Sequence, residues 1–134
     1  MDLFIQYLPR IFLVLVSLAF LFFGVLGLVN PVGTVLPMDI AIETAQAKTE
    51  LRATYGGLML GIGIFLAYTA YDLNAVRLGL IAVICMLLVI GSTRLLGIAI
   101  DGTRTNLQWM LLCFELGPAV IGLLLLLFHP LQPR

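Results

Sequence analysis

Five residues of this 134-residue chain have the types and spacing from which chemistry could be built: Glu50, Arg52 and Tyr55 close together, then Arg94 and Glu115. Two guanidinium groups suit an anionic or polar headgroup, a phenol suits a quinone carbonyl, and an acid inside a membrane suits a proton. Other constellations are thin. The only histidine, His129, stands beside Pro130 at the far end of the last apolar run and reads as an interfacial spacer. Cys85 and Cys113 fall at different depths, which argues against a disulfide, and without CxxC or Cys/His spacing they read as buried apolar thiols. Ser17, Ser92 and Thr93 have no base at a recognisable spacing, and Thr93 is expected to bond back to its own helix. Gly56, Gly57 and Gly63 lie inside an apolar run, so they serve packing and not a phosphate cradle. Neither a metal nor a cofactor is expected.

Whatever positions these residues must be built in lipid. The chain is 62% hydrophobic and 10% charged, with mean hydropathy +1.16. A soluble domain is about a quarter charged, so this one cannot coat a globule with polar surface. Seven Lys plus Arg balance seven Asp plus Glu, which removes the electrostatic case for nucleic acid as a partner. A spanning helix needs about 20 largely apolar residues. The gaps between charges place four spans at residues 11–29, 53–71, 76–100 and 107–128. The third takes Arg94 inside and the fourth Glu115, because the uncharged runs alone are too short. The predicted fold is all-α: one four-helix transmembrane domain over residues 1–134, up-down-up-down, with a longer first connection. The first span is expected to stay as a helix and not to be a cleaved signal, since no small-x-small site precedes Asn30. The first connection, Asn30 to Leu51, is expected to begin irregularly at Pro31, Gly33 and Pro37, then to form a short interfacial helix over Asp39–Glu50 capped by Asp39. The other links read as tight turns around Asp72–Ala75 and Asp101–Asn106. Phe20, Phe22 and Phe23 read as lipid-facing or core filler.

The loop charges set orientation. Arg10, Arg77 and Arg134 flank one side, and Lys48, Arg52, Arg94 and Arg104 the other. Leaving out Arg52 and Arg94 as embedded working residues puts both termini in the cytoplasm, with the charged set towards the outer leaflet. At 1.5 Å per residue Arg94 lies roughly 9 Å and Glu115 roughly 12 Å from the turn that joins their helices, so they meet at similar depth. An unpaired charge at mid-membrane costs on the order of 2.5 to 3.5 kcal/mol, which favours pairing. Arg52, Tyr55, Gly56, Met59 and Gly63 share a helical stripe, as do Gly91, Arg94 and Gly97, and Glu115, Pro118, Ala119 and Gly122. Gly57 and Gly61 form a small-xxx-small pair suited to close helix approach, within the bundle or between copies. Two readings follow. In one, Arg94–Glu115 and Arg52–Glu50 are structural pairs that set helix register. In the other, Arg52, Tyr55, Arg94 and Glu115 form a pocket open to the outer leaflet.

The stretch Glu50-Leu51-Arg52-Ala53-Thr54-Tyr55-Gly56-Gly57, with Arg94-Leu95-Leu96-Gly97, Asp101-Gly102 and Glu115, resembles a family of small bacterial four-helix membrane proteins known as a domain of unknown function. The resemblance covers most of the chain and implies a four-helix bundle in a bacterial inner membrane; it supplies no activity. A more distant similarity of layout to DoxX-like proteins implies a redox-partner or quinone link. Three functions follow as expectations. The first is a non-enzymatic accessory or ligand-binding protein whose partners are membrane lipids, a quinone or anionic lipid, or a larger complex. The second is a proton-coupled transporter acting as a homo-oligomer, with Glu115 titrating. The third is a membrane enzyme using Tyr55 or Glu115 as acid or base.

Overall fold

The computed structural model describes residues 2–128, with side chains from residue 7 onward, and every regular element in that range is helical. The expectations for His129 and Arg134 lie outside the described residues. Helix α1 covers Asp2–Val29, a short α2 covers Pro31–Val35, and a 3-10 turn follows at Leu36–Met38. Helix α3 (Ala45–Leu51) runs through a π-helical segment, Arg52–Leu58, into α4 (Met59–Tyr71). Helices α5 (Val76–Asp101) and α6 (Asn106–Phe128) complete the chain. Four stretches are long and apolar enough to cross a membrane: Tyr7–Val29, Ala45–Tyr71, Val76–Asp101 and Asn106–Phe128. The protein is therefore an all-α membrane protein.

The first connection differs from expectation, for local reasons. Its start is helical, because Pro31 occupies the first helical position and the Asn30 side chain accepts from Gly33 N at 2.9 Å. Asp39 does not cap the following helix; it sits at φ 57 as the C-cap of the 3-10 turn, its own N–H donating to Leu36 O. The cap of the next helix is Thr44, whose hydroxyl accepts from Ala47 N at 3.1 Å. That helix is no separate interfacial piece, since it continues into the second span. Asp72 behaves as a turn residue, its carboxylate accepting from Asn74 N at 2.9 Å.

Two antiparallel pairs form the bundle. In the first, α1 runs against the second span in one register from end to end. Arg10 donates to Ala70 O at 2.9 Å, Ser17 Oγ to Gly63 O at 2.8 Å, and Arg52 Nε to Leu28 O at 3.3 Å. Glycine makes the approach: a Cβ on Gly24 would meet Leu60, and one on Gly63 would meet Leu21. Gly57 and Gly61, in contrast, are exposed, and a Cβ on Gly61 would meet nothing within 4 Å. The interface between α1 and the second span therefore lies one helical face away from the Gly57/Gly61 pair. In the second pair, α5 packs on α6, with Gly91 against Leu116 and Gly122 against Ile84.

The two pairs meet in a core that sits towards one end. Leu13, Leu66, Leu80, Val83 and Ala119 are almost fully buried, and Ala70, Val76 and Leu87 join them. These residues come from the start of α1, the end of α4, the first half of α5 and the second half of α6. The end that holds Arg10 is therefore knitted across all four spans. Among the described residues no such four-way apolar layer forms at the end that holds Arg94. Cys85 and Cys113 are free and exposed, not buried as expected, because each lies on a helix face turned away from its neighbours. Thr93 bonds back to Val89 O at 2.7 Å, as its type predicts.

Buried polar side chains in this frame find backbone partners, Thr69 within its own helix at Leu66 O and Ser17 across to Gly63 O. Ser17→Ala is expected to cost about 0.6 kcal/mol, the average for an interhelical side-chain bond in a membrane protein. Unfolding of purified protein by steric trapping would measure it.

Candidate functional site

The site begins with Gly91. A Cβ there would press on Leu116 and come within 3.5 Å of Glu115 Cβ, so its absence lets α6 lie against α5 where Glu115 projects. One turn on from Gly91, Arg94 reaches across. Its Nε donates to both Glu115 oxygens, at 2.9 and 2.8 Å, and Nη2 donates to Oε1. Nη1 donates to Gln108 Oε1 at 3.0 Å. The pair is mostly covered, with 22% of the Arg94 side chain and 12% of the Glu115 side chain exposed, and it is the only ion pair among the described residues. A two-point fork on a carboxylate fixes rotation as well as distance, so it sets the register of α5 against α6.

Gln108 was not legible as a site residue because it carries no charge. A signal existed: Gln108 and Glu115 are seven apart, two turns on one face of α6, so an arginine that finds one can find the other. The first turn of α6 is further held by Thr105, whose hydroxyl accepts from Gln108 N at 3.3 Å.

The second span contributes through its π-helical segment. Arg52, Tyr55 and both glycines of Tyr55-Gly56-Gly57 lie within Arg52–Leu58, where the wider turn replaces the i to i+4 ladder. A π segment inside an α-helix recurs at functional positions, and here it falls on the charged motif. Gly56 is buried against Leu28 of α1, which holds one side of the wide turn in place. Tyr55 is half-buried and lies near Arg94, but it makes no hydrogen bond to Arg94, Glu115 or Gln108 among the described residues.

Arg52 and Glu50 stand apart from the Arg94 group. Arg52 is exposed and donates to Leu28 O, one of the last carbonyls of α1, which have no partner within the helix. Glu50 is exposed on α3 and makes no hydrogen bond or ion pair among the described residues. The Arg52–Glu50 structural pair is therefore absent, because a helix-end carbonyl takes the guanidinium instead. The structure brings Arg94, Glu115 and Gln108 together with Tyr55 nearby, and places Arg52 at the rim.

Hydrogen-bond donors are in excess there. Three of the five N–H groups of Arg94 are used, which leaves two; the Tyr55 hydroxyl and the Gln108 amide have no acceptor among the described residues. Both Glu115 oxygens are taken. What the group can do chemically is receive oxygen acceptors. Among the described residues no three His, Cys, Asp or Glu side chains converge as a metal would require.

Comparison with known families matches residues 8–128 to DUF4345, a domain of unknown function. The chain belongs to that family. No curated protein and no solved structure matches it.

Proposed function

We propose that this DUF4345 protein is a non-enzymatic, integral protein of a bacterial inner membrane that binds the polar head of a lipophilic molecule at its Arg94 end. The observation that carries the reading is the surplus of donors. Two Arg94 N–H groups, the Tyr55 hydroxyl and the Gln108 amide have no acceptor among the described residues, and the Arg94 side chain is mostly covered. Lipid offers none, and unsatisfied polar groups there cost several kcal/mol each. A quinone carbonyl or a phospholipid phosphate oxygen meets that need. The termini lie in the cytoplasm on the loop-charge argument, which turns the site to the outer leaflet.

The wide turn that presents Tyr55 supports the same reading, since a π segment is retained where a side chain must be aimed. Proton carriage by Glu115 is less well supported, because both its oxygens are held by Arg94 and the pair would first have to open. Acid–base catalysis by Glu115 meets the same obstacle, since its carboxylate is already held by Arg94.

Native mass spectrometry of protein released gently from its own membrane tests the proposal. The double variant Arg94→Leu, Glu115→Leu replaces the pair with apolar residues that pack in lipid. Tyr55→Phe removes one donor and keeps the ring. Wild type is expected to retain a lipid or quinone, Tyr55→Phe to retain less, and the double variant to lose it while remaining folded. Identical spectra for all three would overturn the reading, and a co-purifying chain in place of a small molecule would transfer the acceptor to a partner protein.

A further inference from the structure

The opposite end of the bundle holds a second arginine in a different setting. Arg10 is half-buried, one turn into the first span, and its Nε donates to Ala70 O at 2.9 Å while Nη2 reaches Tyr71 O at 3.5 Å. Those carbonyls close the last turn of α4, where the helix's own bonds run out and its dipole is negative. The Tyr7 ring lies 5.6 Å from the guanidinium carbon. Arg10 is thus held in one orientation from two sides, with Nη1 making no bond to any described residue.

Two open clefts share this guanidinium. One, of about 340 Å³, runs along α1 and is walled by Ile11, Val14, Leu15 and Ala70, all apolar. The other, of about 570 Å³, opens at the α4–α5 turn and is lined by Tyr68, Tyr71, Asp72, Leu73 and Asn74 as well as Arg10. Asp72 is fixed there, with Oδ1 taken by Asn74 N at 2.9 Å. Arg10 and Asp72 therefore border one cleft without pairing with each other, the only described ion pair being Arg94–Glu115. A fixed cation shared by two clefts, with a fixed anion bordering one and an apolar groove forming the other, complements a molecule with a cation, an anion and a hydrocarbon chain in that order.

We propose that this end of the bundle binds a phospholipid with a phosphoethanolamine headgroup. The phosphate sits on Arg10, the ammonium lies towards Asp72, and one acyl chain follows the groove beside Ile11, Val14 and Leu15. Tyr68 and Tyr71 are exposed at the level where aromatic residues meet headgroups, which puts the polar cleft at the right depth. An anionic lipid without an amine would bring its phosphate to Arg10 and leave Asp72 facing no cation. A free phosphate-bearing headgroup would leave the groove unused.

The test is native mass spectrometry of the full-length protein in mild detergent, titrated with dioctanoyl phosphatidylethanolamine, dioctanoyl phosphatidylglycerol and free phosphoethanolamine. Wild type is expected to prefer the first lipid over the second by about tenfold, the loss of one charge-assisted contact. Asp72→Asn keeps the turn acceptor and is expected to erase the preference. Val14→Trp fills the groove, leaves Arg10 in place, and is expected to weaken lipid binding about tenfold. Arg10→Gln is expected to abolish binding, but Arg10 also ties α1 to α4, so the other two variants decide. Equal binding of the two lipids by wild type, a preference that survives Asp72→Asn, or free phosphoethanolamine bound as tightly as the lipid would each overturn the proposal. The preference is expected unchanged in the Arg94→Leu, Glu115→Leu protein, and its loss there would assign the lipid to the other end.

Discussion

Glu115→Ala is expected to destabilise the bundle by about 3 to 5 kcal/mol, the cost of leaving a buried charge without its partner. Arg94 is only 22% exposed and offers three of its N–H groups to Glu115 and Gln108. With Glu115 gone, Gln108 alone faces the guanidinium, and a single neutral acceptor does not replace a carboxylate that takes two of its nitrogens. Arg94→Leu removes the other partner and leaves the Glu115 carboxylate without its donors, and is expected to destabilise in the same range. The double leucine variant is expected to recover most of the loss, since a buried pair replaced by apolar residues is often neutral. Steric-trap unfolding of wild type, Glu115→Leu, Arg94→Leu and the double variant gives the cycle directly. If Glu115→Leu and the double variant were equally unstable, the deficit would come from packing around position 115 and not from the orphaned charge.

Gly27→Ala is expected to be the most damaging single methyl group in the chain, at about 3 kcal/mol, the upper part of the usual range for overpacking. The added carbon would collide with the Tyr55 carbonyl, lying 2.5 Å from its carbon and 2.8 Å from Gly56 N. These are backbone atoms, so no rotamer change relieves the contact. Helix α1 would have to move off the π-helical segment, taking with it the Leu28 carbonyl that Arg52 caps. The effect should therefore reach the site as well as stability: ligand retained by wild type should fall in Gly27→Ala even under conditions where the protein stays folded. Gly61→Ala is the control, with nothing within 4 Å of the new carbon, and is expected to change stability by less than about 0.5 kcal/mol. Equal effects of the two substitutions on unfolding would show that the close approach of α1 to the wide turn contributes little.

These two expectations depend on different kinds of information. That Arg94 and Glu115 share a depth follows from counting residues at 1.5 Å each from a common turn, and the structure joins them. That Gly27 rather than Gly57 is the critical small residue could not be counted, because both stand on apolar helices with no polar face to mark which side turns inward. Gln108 escaped for the related reason that a neutral side chain leaves no trace in a charge pattern. The π-helical segment escaped because a period of 3.6 was assumed through Arg52–Leu58, although the adjacent Gly56 and Gly57 make that stretch the easiest in the span to distort.

By itself the sequence determined the number of long apolar helices, the all-α class and the common level of Arg94 and Glu115, while it started the second span at residue 53 and the helix begins at Ala45. It could do so because the bilayer sets the length of a spanning helix and forces each backbone to bond within itself, and both constraints are local. The tertiary structure alone decided which face of each helix is inside, which carbonyl Arg52 caps, where the four-way core lies and what borders Arg10. Those depend on the rotation of each helix about its axis. In water a polar face fixes that rotation, whereas here helices apolar all round are turned by glycine contacts and a few polar bonds between residues far apart in the chain.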